Sequence, residues 1–201
     1  MKKILFDLDN TLISWKPEYR FLSCSEAGIT DLNIVDIIDK AIPKYEESVE
    51  YITKDSLIDC LLDLKIGLTS EQAKRLIETD TNRYEKSSDE VIELLEYLSN
   101  KYELYVITNW FLDIQSKRLE NAGILKYFKK VYSASEYKAK PDKEMFLKAM
   151  GDTDPSECLM LGDSLIKDVY PALEIGMEAI LIGKAENYKC IDSILKLKEM
   201  L

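Results

Sequence analysis

The sequence contains no histidine, and that absence removes several catalytic classes at once. A Ser-His-Asp triad, a Cys-His pair, a His-ligated zinc site and a phosphohistidine are all excluded. Acid–base chemistry would therefore fall to Asp, Glu, Lys, Tyr or Cys side chains. Cysteine is scarce as well, and Cys24, Cys60, Cys158 and Cys190 form no Cys-x-x-Cys pair. We expect reduced, mostly buried thiols rather than a zinc site or a disulfide framework.

Basic residues are in the minority, with 27 Lys and Arg against 37 Asp and Glu and a formal charge of −10 over 201 residues. That balance argues against general binding to nucleic acid or to an anionic membrane, because both require a basic face. No apolar run approaches the ~18 residues of a transmembrane helix, and Asp7 interrupts the short run that follows Met1 too early for a signal peptide. We expect a cytoplasmic monomer or homodimer that binds neither nucleic acid nor membrane.

Five short apolar runs predict strands buried on both faces: Lys3–Leu8, Glu103–Thr108, Lys130–Ser133, Cys158–Leu161 and Glu178–Ile182. Helical patterns separate the last four runs, and each pattern stops at a glycine, as helices commonly do. Alternation of strands and helices predicts an α/β fold with a doubly wound, Rossmann-like parallel sheet. A final amphipathic run, Cys190–Leu201, predicts a C-terminal helix.

The segment between the first two predicted strands is about three times longer than one crossover requires. It carries helical patterns over 17–27, from Asp31 with an interruption near Pro43, over 54–65 and over 70–85. Thr69-x-x-Gln72 has the form of a capping box, and Ser87-x-x-Glu90 is predicted to open the helix that returns to the sheet. We therefore predict an all-helical domain at 14–86, inserted into an α/β core formed by 1–13 and 87–201.

Polar residues follow several of the predicted strands directly. Asp7 and Asp9 end the first strand, and residues two apart on an extended chain point the same way. Taken alone, Asp-x-Asp is equally consistent with a surface loop or a weak calcium site. The position of Asp7 and Asp9 at a strand end favours a functional role, because ligands of open α/β sheets bind outside the carboxyl ends of the strands.

The other strand ends contribute Thr108, Asp163 and Asp168, and a loop after the third strand contributes Lys140. Individually Thr108 could be a strand terminus, Asp168 a helix N-cap and Lys140 a solvated loop charge. The joint placement of these residues nevertheless predicts one site. Its four carboxylates would repel one another and face a single lysine unless a cation lay among them. An all-oxygen ligand set favours a hard cation, with Mg²⁺ the natural candidate.

These motifs resemble the haloacid dehalogenase-like (HAD) superfamily, in the subgroup with a helical cap inserted after the first strand. The resemblance covers nearly the whole chain and rests on four motifs in order: Asp7-Leu8-Asp9-Asn10-Thr11, Thr108-Asn109, Lys140-Pro141 and Gly162-Asp163-x-x-x-x-Asp168. Asn10 stands where many members have glycine.

The resemblance implies a role for each motif residue. Asp7 would be the nucleophile that forms an aspartyl-phosphate, and Asp9 the general acid and base. Mg²⁺ would be held by the Asp7 and Asp163 carboxylates and the Asp9 backbone carbonyl, with Asp168 in support. The phosphoryl group would be held by the Thr108 hydroxyl, the Asn109 backbone N–H and Lys140. Dehalogenase relatives lack an acid at the position of Asp9, so the resemblance favours phosphate ester hydrolysis.

The function expected on this basis is a Mg²⁺-dependent phosphatase for a small phosphorylated metabolite of the nucleotide or sugar phosphate class. Alternatives are a phosphomutase of the same family and a receiver-type regulatory protein that is phosphorylated on aspartate. Trp15, Arg20, Trp110 and Phe111 could line the entrance or contact the substrate, and Arg20 could bind a second anionic group. Packing or solvated surface is an equally ordinary role for all of them.

Overall fold

The structure, a computed structural model, describes residues 1–201 and contains one six-stranded parallel sheet. The sheet order is β3-β2-β1-β4-β5-β6, so β1 is central and the order reverses between β1 and β4. The strands are β1 Lys3–Phe6, β2 Glu103–Thr108, β3 Lys130–Ser133, β4 Cys158–Gly162, β5 Glu178–Ile182 and β6 Cys190–Ile191. The predicted α/β fold with a doubly wound sheet is confirmed, and the five predicted strands are all present.

Both faces of the sheet are buried because the central strands are apolar along most of their length, over Ile4–Phe6 of β1, Leu104–Ile107 of β2 and Cys158–Leu161 of β4. Successive residues of β1 point to opposite faces, so Leu5 packs into one hydrophobic cluster while Ile4 and Phe6 pack into the other. Helices cover each face, as a parallel sheet requires. In the second half of the chain they are α5 Asp89–Ser99, α6 Leu112–Asn121, α7 Glu144–Met150, α8 Tyr170–Glu174 and α9 Leu197–Met200. No helix is both long and apolar enough to cross a membrane.

Between β1 and β2 the chain forms only helices. They are α1 Glu18–Glu26, α2 Leu32–Ser48, α3 Lys54–Asp63 and α4 Ser70–Thr79, followed by a short 3₁₀ turn at Asp80–Asn82. The predicted capping box is confirmed, since the Thr69 hydroxyl accepts from the Gln72 N–H and the Gln72 side chain accepts from the Thr69 N–H.

Two details of these helices differ from prediction. Helix α2 continues through Pro43 instead of breaking there, because the carbonyl that loses its donor belongs to the exposed residue Asp39, where water can replace it. Helix α4 ends at Thr79 and does not reach 85. The chain turns there because Asp80 is buried and its carboxylate accepts a hydrogen bond from the Ser23 hydroxyl at 2.8 Å.

The inserted helices share a hydrophobic core with the sheet. Ile38, Leu57 and Leu61 belong to the same cluster as Leu5. The Ile52 N–H also donates to the Ala134 carbonyl at 2.9 Å, just beyond β3. The predicted domain boundaries at 14 and 86 stay a prediction, and the packing shows that the helices do not stand apart from the sheet.

The predicted C-terminal helix is wrong over its first four residues and begins later than predicted. Cys190 and Ile191 form β6, which pairs in parallel with Leu181 and Ile182 of β5. Only the last residues are helical, in a 3₁₀ turn at Ile194–Lys196 and in α9. A two-residue edge strand leaves no periodic signal, so its pairing with β5 could not be inferred from the local pattern.

The start of α5 is displaced by one residue from prediction, because Ser88 rather than Ser87 accepts the capping hydrogen bond, from the Val91 N–H. Helical structure after β4 begins before Asp168. A π-helical turn at Leu165–Val169 precedes α8, and the Ser164 side chain caps it by accepting from the Lys167 N–H. Asp168 therefore lies within this turn instead of capping it.

Candidate active site

The carboxyl ends of β1, β2 and β4 meet beside the reversal in strand order and line a cavity of about 280 Å³. Residues of α1 and α2 form the opposite wall. All seven predicted site residues line this cavity: Asp7, Asp9, Thr108, Asn109, Lys140, Asp163 and Asp168. Residues from four separate stretches of sequence are thus brought to one place.

Lys140 is the centre of a buried charge cluster. Its ammonium group donates to Asp7 Oδ1 and to Asp168 Oδ1, each at 2.6 Å, and it is only 4% exposed. Burial alone would lower the pKa of Lys140, but the carboxylates of Asp168 and Asp7 raise it above its ordinary value. Lys140 therefore stays charged and fixes the position of both carboxylates.

Asp7 is a buried carboxyl whose pKa the site raises strongly. Burial raises the pKa of its carboxyl to about 8; Lys140 opposes that rise, whereas Asp168 and Asp9 add to it. The single lysine thus does not fully compensate the carboxylates around it. A further cation at this position would favour the ionised, nucleophilic form of Asp7 at neutral pH.

The remaining acidic groups fit such a cation. Oxygen atoms of Asp7, Asp163 and Asp168 lie within 4.8 Å of one another. Partial desolvation and the Asp168 carboxylate also raise the pKa of Asp163. Three carboxylates and no nitrogen or sulfur donor form the ligand chemistry that Mg²⁺ takes. The donor set therefore suits Mg²⁺, with these three residues able to hold it.

Two residues near this cluster, Gly162 and Asn10, are restricted by space and by backbone conformation, respectively. A Cβ atom on Gly162 would lie 2.2 Å from Asp168 Oδ2, so no larger residue allows Asp168 to approach β4. Asn10 adopts a left-handed conformation, with φ of 59°, and its side chain accepts from the Trp15 N–H at 3.0 Å. Asparagine tolerates this conformation better than most residues, which explains how it replaces glycine in the first motif.

Thr108 and Asn109 follow β2 and have different contacts. The Thr108 hydroxyl is buried and accepts from Gln115 Nε2 at 2.8 Å, so its own hydrogen is free to be donated. The Asn109 side chain pairs with the backbone of Lys140, accepting from its N–H at 2.7 Å and donating to its carbonyl at 2.8 Å. Asn109 thereby fixes the loop that carries Lys140, a role that the motif did not indicate.

Asp9 has a cationic partner that sequence reasoning missed. Arg118, on α6, binds both carboxylate oxygens, with Nη2–Oδ1 at 2.6 Å and Nη1–Oδ2 at 3.1 Å. The expectation of four carboxylates facing one lysine is therefore wrong, because Arg118 compensates Asp9. Gln115 and Arg118 lie three residues apart on one face of α6, and that spacing is the signal that could have revealed them.

The cavity wall formed by the helical segment contains Arg20 of α1, which is 8% exposed. Its Nη1 lies 3.6 Å from Asp80 Oδ2 and its Nε lies 3.6 Å from Asp39 Oδ1, both too long for hydrogen bonds. Both nitrogens are buried without a hydrogen-bond partner. Trp15 packs beside the guanidinium at 5.4 Å. Arg20 thus lines the cavity and has two buried nitrogens without a hydrogen-bond partner.

The aromatic residues after the second motif differ in position. Trp110 lines the cavity, whereas Phe111 lies in the core with its ring centroid 4.8 Å from that of Trp110. Across the cavity, Lys167 reaches Glu46 of α2 at 3.3 Å and connects the helical segment to the loop after β4. Of the two aromatic candidates, only Trp110 can contact a bound molecule.

Comparison with known proteins agrees with this geometry. The family model for haloacid dehalogenase-like hydrolases matches residues 1–176. Pyrimidine 5'-nucleotidase PynA of Streptococcus pneumoniae is 24% identical, over 89% of this chain and 82% of its own. Glyceraldehyde 3-phosphate phosphatase of Methanocaldococcus jannaschii is 27% identical over 92% and 86%. The magnesium-bound structure of the Bacillus subtilis HAD-hydrolase YfnB superimposes with a TM-score of 0.77 at 20% identity, covering 100% of this chain and 98% of that one.

Proposed function

The chain belongs to the haloacid dehalogenase-like hydrolase family, and from that premise we propose that it is a Mg²⁺-dependent phosphatase acting through an aspartyl-phosphate on Asp7. Its substrate is a small phosphorylated metabolite of the nucleotide or sugar phosphate class, met free in the cytoplasm. The relatives named as a pyrimidine nucleotidase and a sugar phosphate phosphatase support that class.

One observation carries the proposal. Lys140 holds Asp7 Oδ1 at 2.6 Å at the floor of a cavity, while Asp9 lines the same cavity two residues further on. A fixed carboxylate with a second carboxylate beside it is what nucleophilic attack with acid–base assistance requires. Other arrangements of the same residues, with the two carboxylates facing apart, would not serve that chemistry.

In the first step, Asp7 attacks the phosphorus, a bond forms between its carboxylate oxygen and phosphorus, and the ester P–O bond breaks. Lys140 takes one of the two lone-pair sites of Oδ1 and leaves both sites of Oδ2 open, so Oδ2 is the oxygen that attacks. Asp9 gives a proton to the departing alkoxide, which leaves as an alcohol. The Thr108 hydroxyl and the Asn109 N–H hold the phosphoryl oxygens, and Lys140 offsets their charge.

In the second step, water attacks the phosphorus of the aspartyl-phosphate. Asp9, now a carboxylate, takes the proton from that water as the bond between phosphorus and the Asp7 oxygen breaks. Asp7 is regenerated and inorganic phosphate is released. One residue thus serves as acid and then as base, in agreement with the order in which the protons are needed.

Bound Mg²⁺ would offset the negative charge of phosphate and keep Asp7 ionised. Asp7, Asp163 and Asp168 are the residues that would hold it. The family resemblance implies that the Asp9 backbone carbonyl would be a further ligand.

The presence of Asp9 separates this proposal from dehalogenation, since a departing halide needs no proton. A phosphomutase would return the phosphoryl group to its substrate, and analysis of the products from a hexose phosphate would distinguish it. A receiver protein would retain the phosphoryl group, whereas Asp9 shortens the lifetime of the aspartyl-phosphate.

Removal of divalent metal is expected to remove most of the turnover. Without Mg²⁺ the carboxylates of Asp7, Asp163 and Asp168 outnumber Lys140 and repel a phosphate ester, so chelation should lower the rate by about 10²- to 10³-fold, corresponding to the several kcal/mol that a metal contributes. Addition of Mg²⁺ should restore the rate, and Ca²⁺ should not, because its looser coordination misplaces the nucleophile. The measurement is phosphate release after exhaustive chelation and re-addition of each ion. Full activity in excess chelator would contradict the metal assignment.

Arg20→Ala tests how the cavity wall formed by α1 and α2 recognises the substrate. Its unpartnered donors can meet a group of the substrate distant from the phosphate. The variant is expected to raise KM for the true substrate, found by screening phosphorylated metabolites, while barely altering nitrophenyl phosphate. Arg75→Ala is the matched control, since Arg75 is exposed on α4 and lies outside the cavity. Equal losses on both substrates would show that Arg20 supports the fold instead.

A further inference from the structure

Arg118 is the largest fully buried side chain of the molecule, and it lies directly behind Asp9. Its side chain is 1% exposed, whereas that of Asp9 is 33% exposed toward the cavity. The two groups meet through two parallel hydrogen bonds, the geometry in which a guanidinium fixes both the distance and the plane of a carboxylate.

Arg118 is itself held by groups other than Asp9. Nε donates to the Arg83 carbonyl at 2.6 Å, and Nη1 also donates to Gln115 Oε1 at 2.7 Å. The Trp15 ring packs 5.3 Å from the guanidinium carbon. Because its orientation is set by these contacts, Arg118 can impose an orientation on Asp9 rather than follow it.

Gln115 completes the arrangement. It is fully buried, and its Nε2 group lies 3.2 Å from Asp9 Oδ2 and 2.8 Å from Thr108 Oγ1. The side chain thus joins the acid–base residue to the residue that holds a phosphoryl oxygen, and it sets the separation between them.

The hydrogen bonds leave the two oxygens of Asp9 unequal. An ionised carboxylate has about four lone-pair sites, two on each oxygen. Oδ2 receives donors from Arg118 and Gln115 and is filled, whereas Oδ1 receives one donor, from Arg118 Nη2. One site therefore remains, on Oδ1.

We propose that Arg118, with Gln115, is the positioning residue of Asp9 and selects Oδ1 as the atom that gives and takes the proton. The inference rests on the proposed function and deepens it. Arg118 touches neither substrate nor phosphorus in this scheme and acts through Asp9 alone. A purely structural ion pair between α6 and the segment that follows β1 is the alternative that the test must exclude.

The first test compares leaving groups. In Arg118→Met the misplaced Asp9 should slow hydrolysis of an alkyl phosphate by about 10²-fold, the cost of a misplacement of about 1 Å. The first step on nitrophenyl phosphate needs no acid and should change little. Rapid mixing should therefore show a burst of nitrophenolate followed by slow turnover. Lys117→Met, on the exposed face of the same helix, should match wild type for both esters.

The second test is a double-mutant cycle with Asp9→Asn. If Arg118 acts through Asp9, then adding Arg118→Met to Asp9→Asn should cause no further loss of rate. Losses that multiply would show a separate structural contribution and would overturn the inference. Thermal unfolding of each variant accompanies the assays, and Arg118→Lys, which keeps the charge but loses the fork, decides by the same criteria if Arg118→Met does not fold.

The outcomes for the inference and for the proposed function are distinguishable. A wild-type protein that hydrolyses no phosphate ester with Mg²⁺ would overturn both. An active wild-type protein, together with an Arg118→Met variant slowed equally on alkyl and nitrophenyl phosphates in its first step, would overturn only the positioning role.

Discussion

Asp7→Asn is expected to lower turnover of every phosphate ester by about 10⁴-fold or more, the size of loss seen when a covalent nucleophile is removed. An amide oxygen has neither the charge nor the basicity to attack phosphorus, and no other carboxylate has the same environment. Lys140 holds Asp7 Oδ1 at 2.6 Å, so the replacement occupies the same place without reacting. Steady-state assays and rapid mixing should show neither turnover nor a burst.

The stability of Asp7→Asn provides a control that activity alone cannot. Burial raises the pKa of Asp7 in the folded protein to about 8, whereas in the unfolded chain it has the ordinary value of 3.8. The folded state therefore binds the proton more tightly, and metal-free wild type should lose stability as pH rises from about 4 to about 8. Asn cannot ionise, so the variant should escape that loss.

Thermal unfolding without metal should show the two proteins becoming more different as pH rises, with the variant the more stable one at pH 8. Lys140 keeps its bond to Asp168, so the replacement leaves the lysine paired. Substantial turnover by a correctly folded Asp7→Asn protein would show that another residue is the nucleophile.

The sequence predicts those parts of the fold and site that depend on the local pattern of apolar and polar residues. Continuous apolar runs identify β1 to β5, because a strand buried on both faces has few polar positions between its ends. Asp7, Asp163 and Thr108 follow directly from those strand ends, since the carboxyl edge of a parallel sheet brings them together whatever the loops do.

The parts that escaped prediction depend on contacts between distant residues. Arg118 lies 109 residues from Asp9 in the sequence, and on its own it is one more basic residue of a helix. The pairing of Asn109 with the Lys140 backbone is equally invisible, because the motif specifies the residue but not what its amide contacts. The two-residue strand β6 exists only through its pairing with β5.

Asp9→Asn is expected to separate the two chemical steps. A nitrophenolate anion departs without a proton, so the first step on nitrophenyl phosphate should persist. The water that attacks the aspartyl-phosphate still needs a base, and loss of a general base typically costs ~10²- to 10⁴-fold. Hydrolysis of the intermediate should become limiting, and rapid mixing should show a burst approaching one equivalent of enzyme followed by slow turnover.

Two controls test whether the burst in Asp9→Asn comes from an aspartyl-phosphate. Asp7→Asn lacks the nucleophile and should give none, so a burst in both variants would reflect something other than an aspartyl-phosphate. An alkyl phosphate, whose leaving group needs the proton, should give no burst with Asp9→Asn because its first step is slow as well.

The amide of Asp9→Asn also presents an NH₂ group where the carboxylate accepts hydrogen bonds from Arg118 and Gln115, so some disorder of the side chain is expected. If the variant turned over nitrophenyl phosphate at the wild-type rate without a burst, Asp9 would not be the acid–base residue, and the positioning role of Arg118 would have no group to act through.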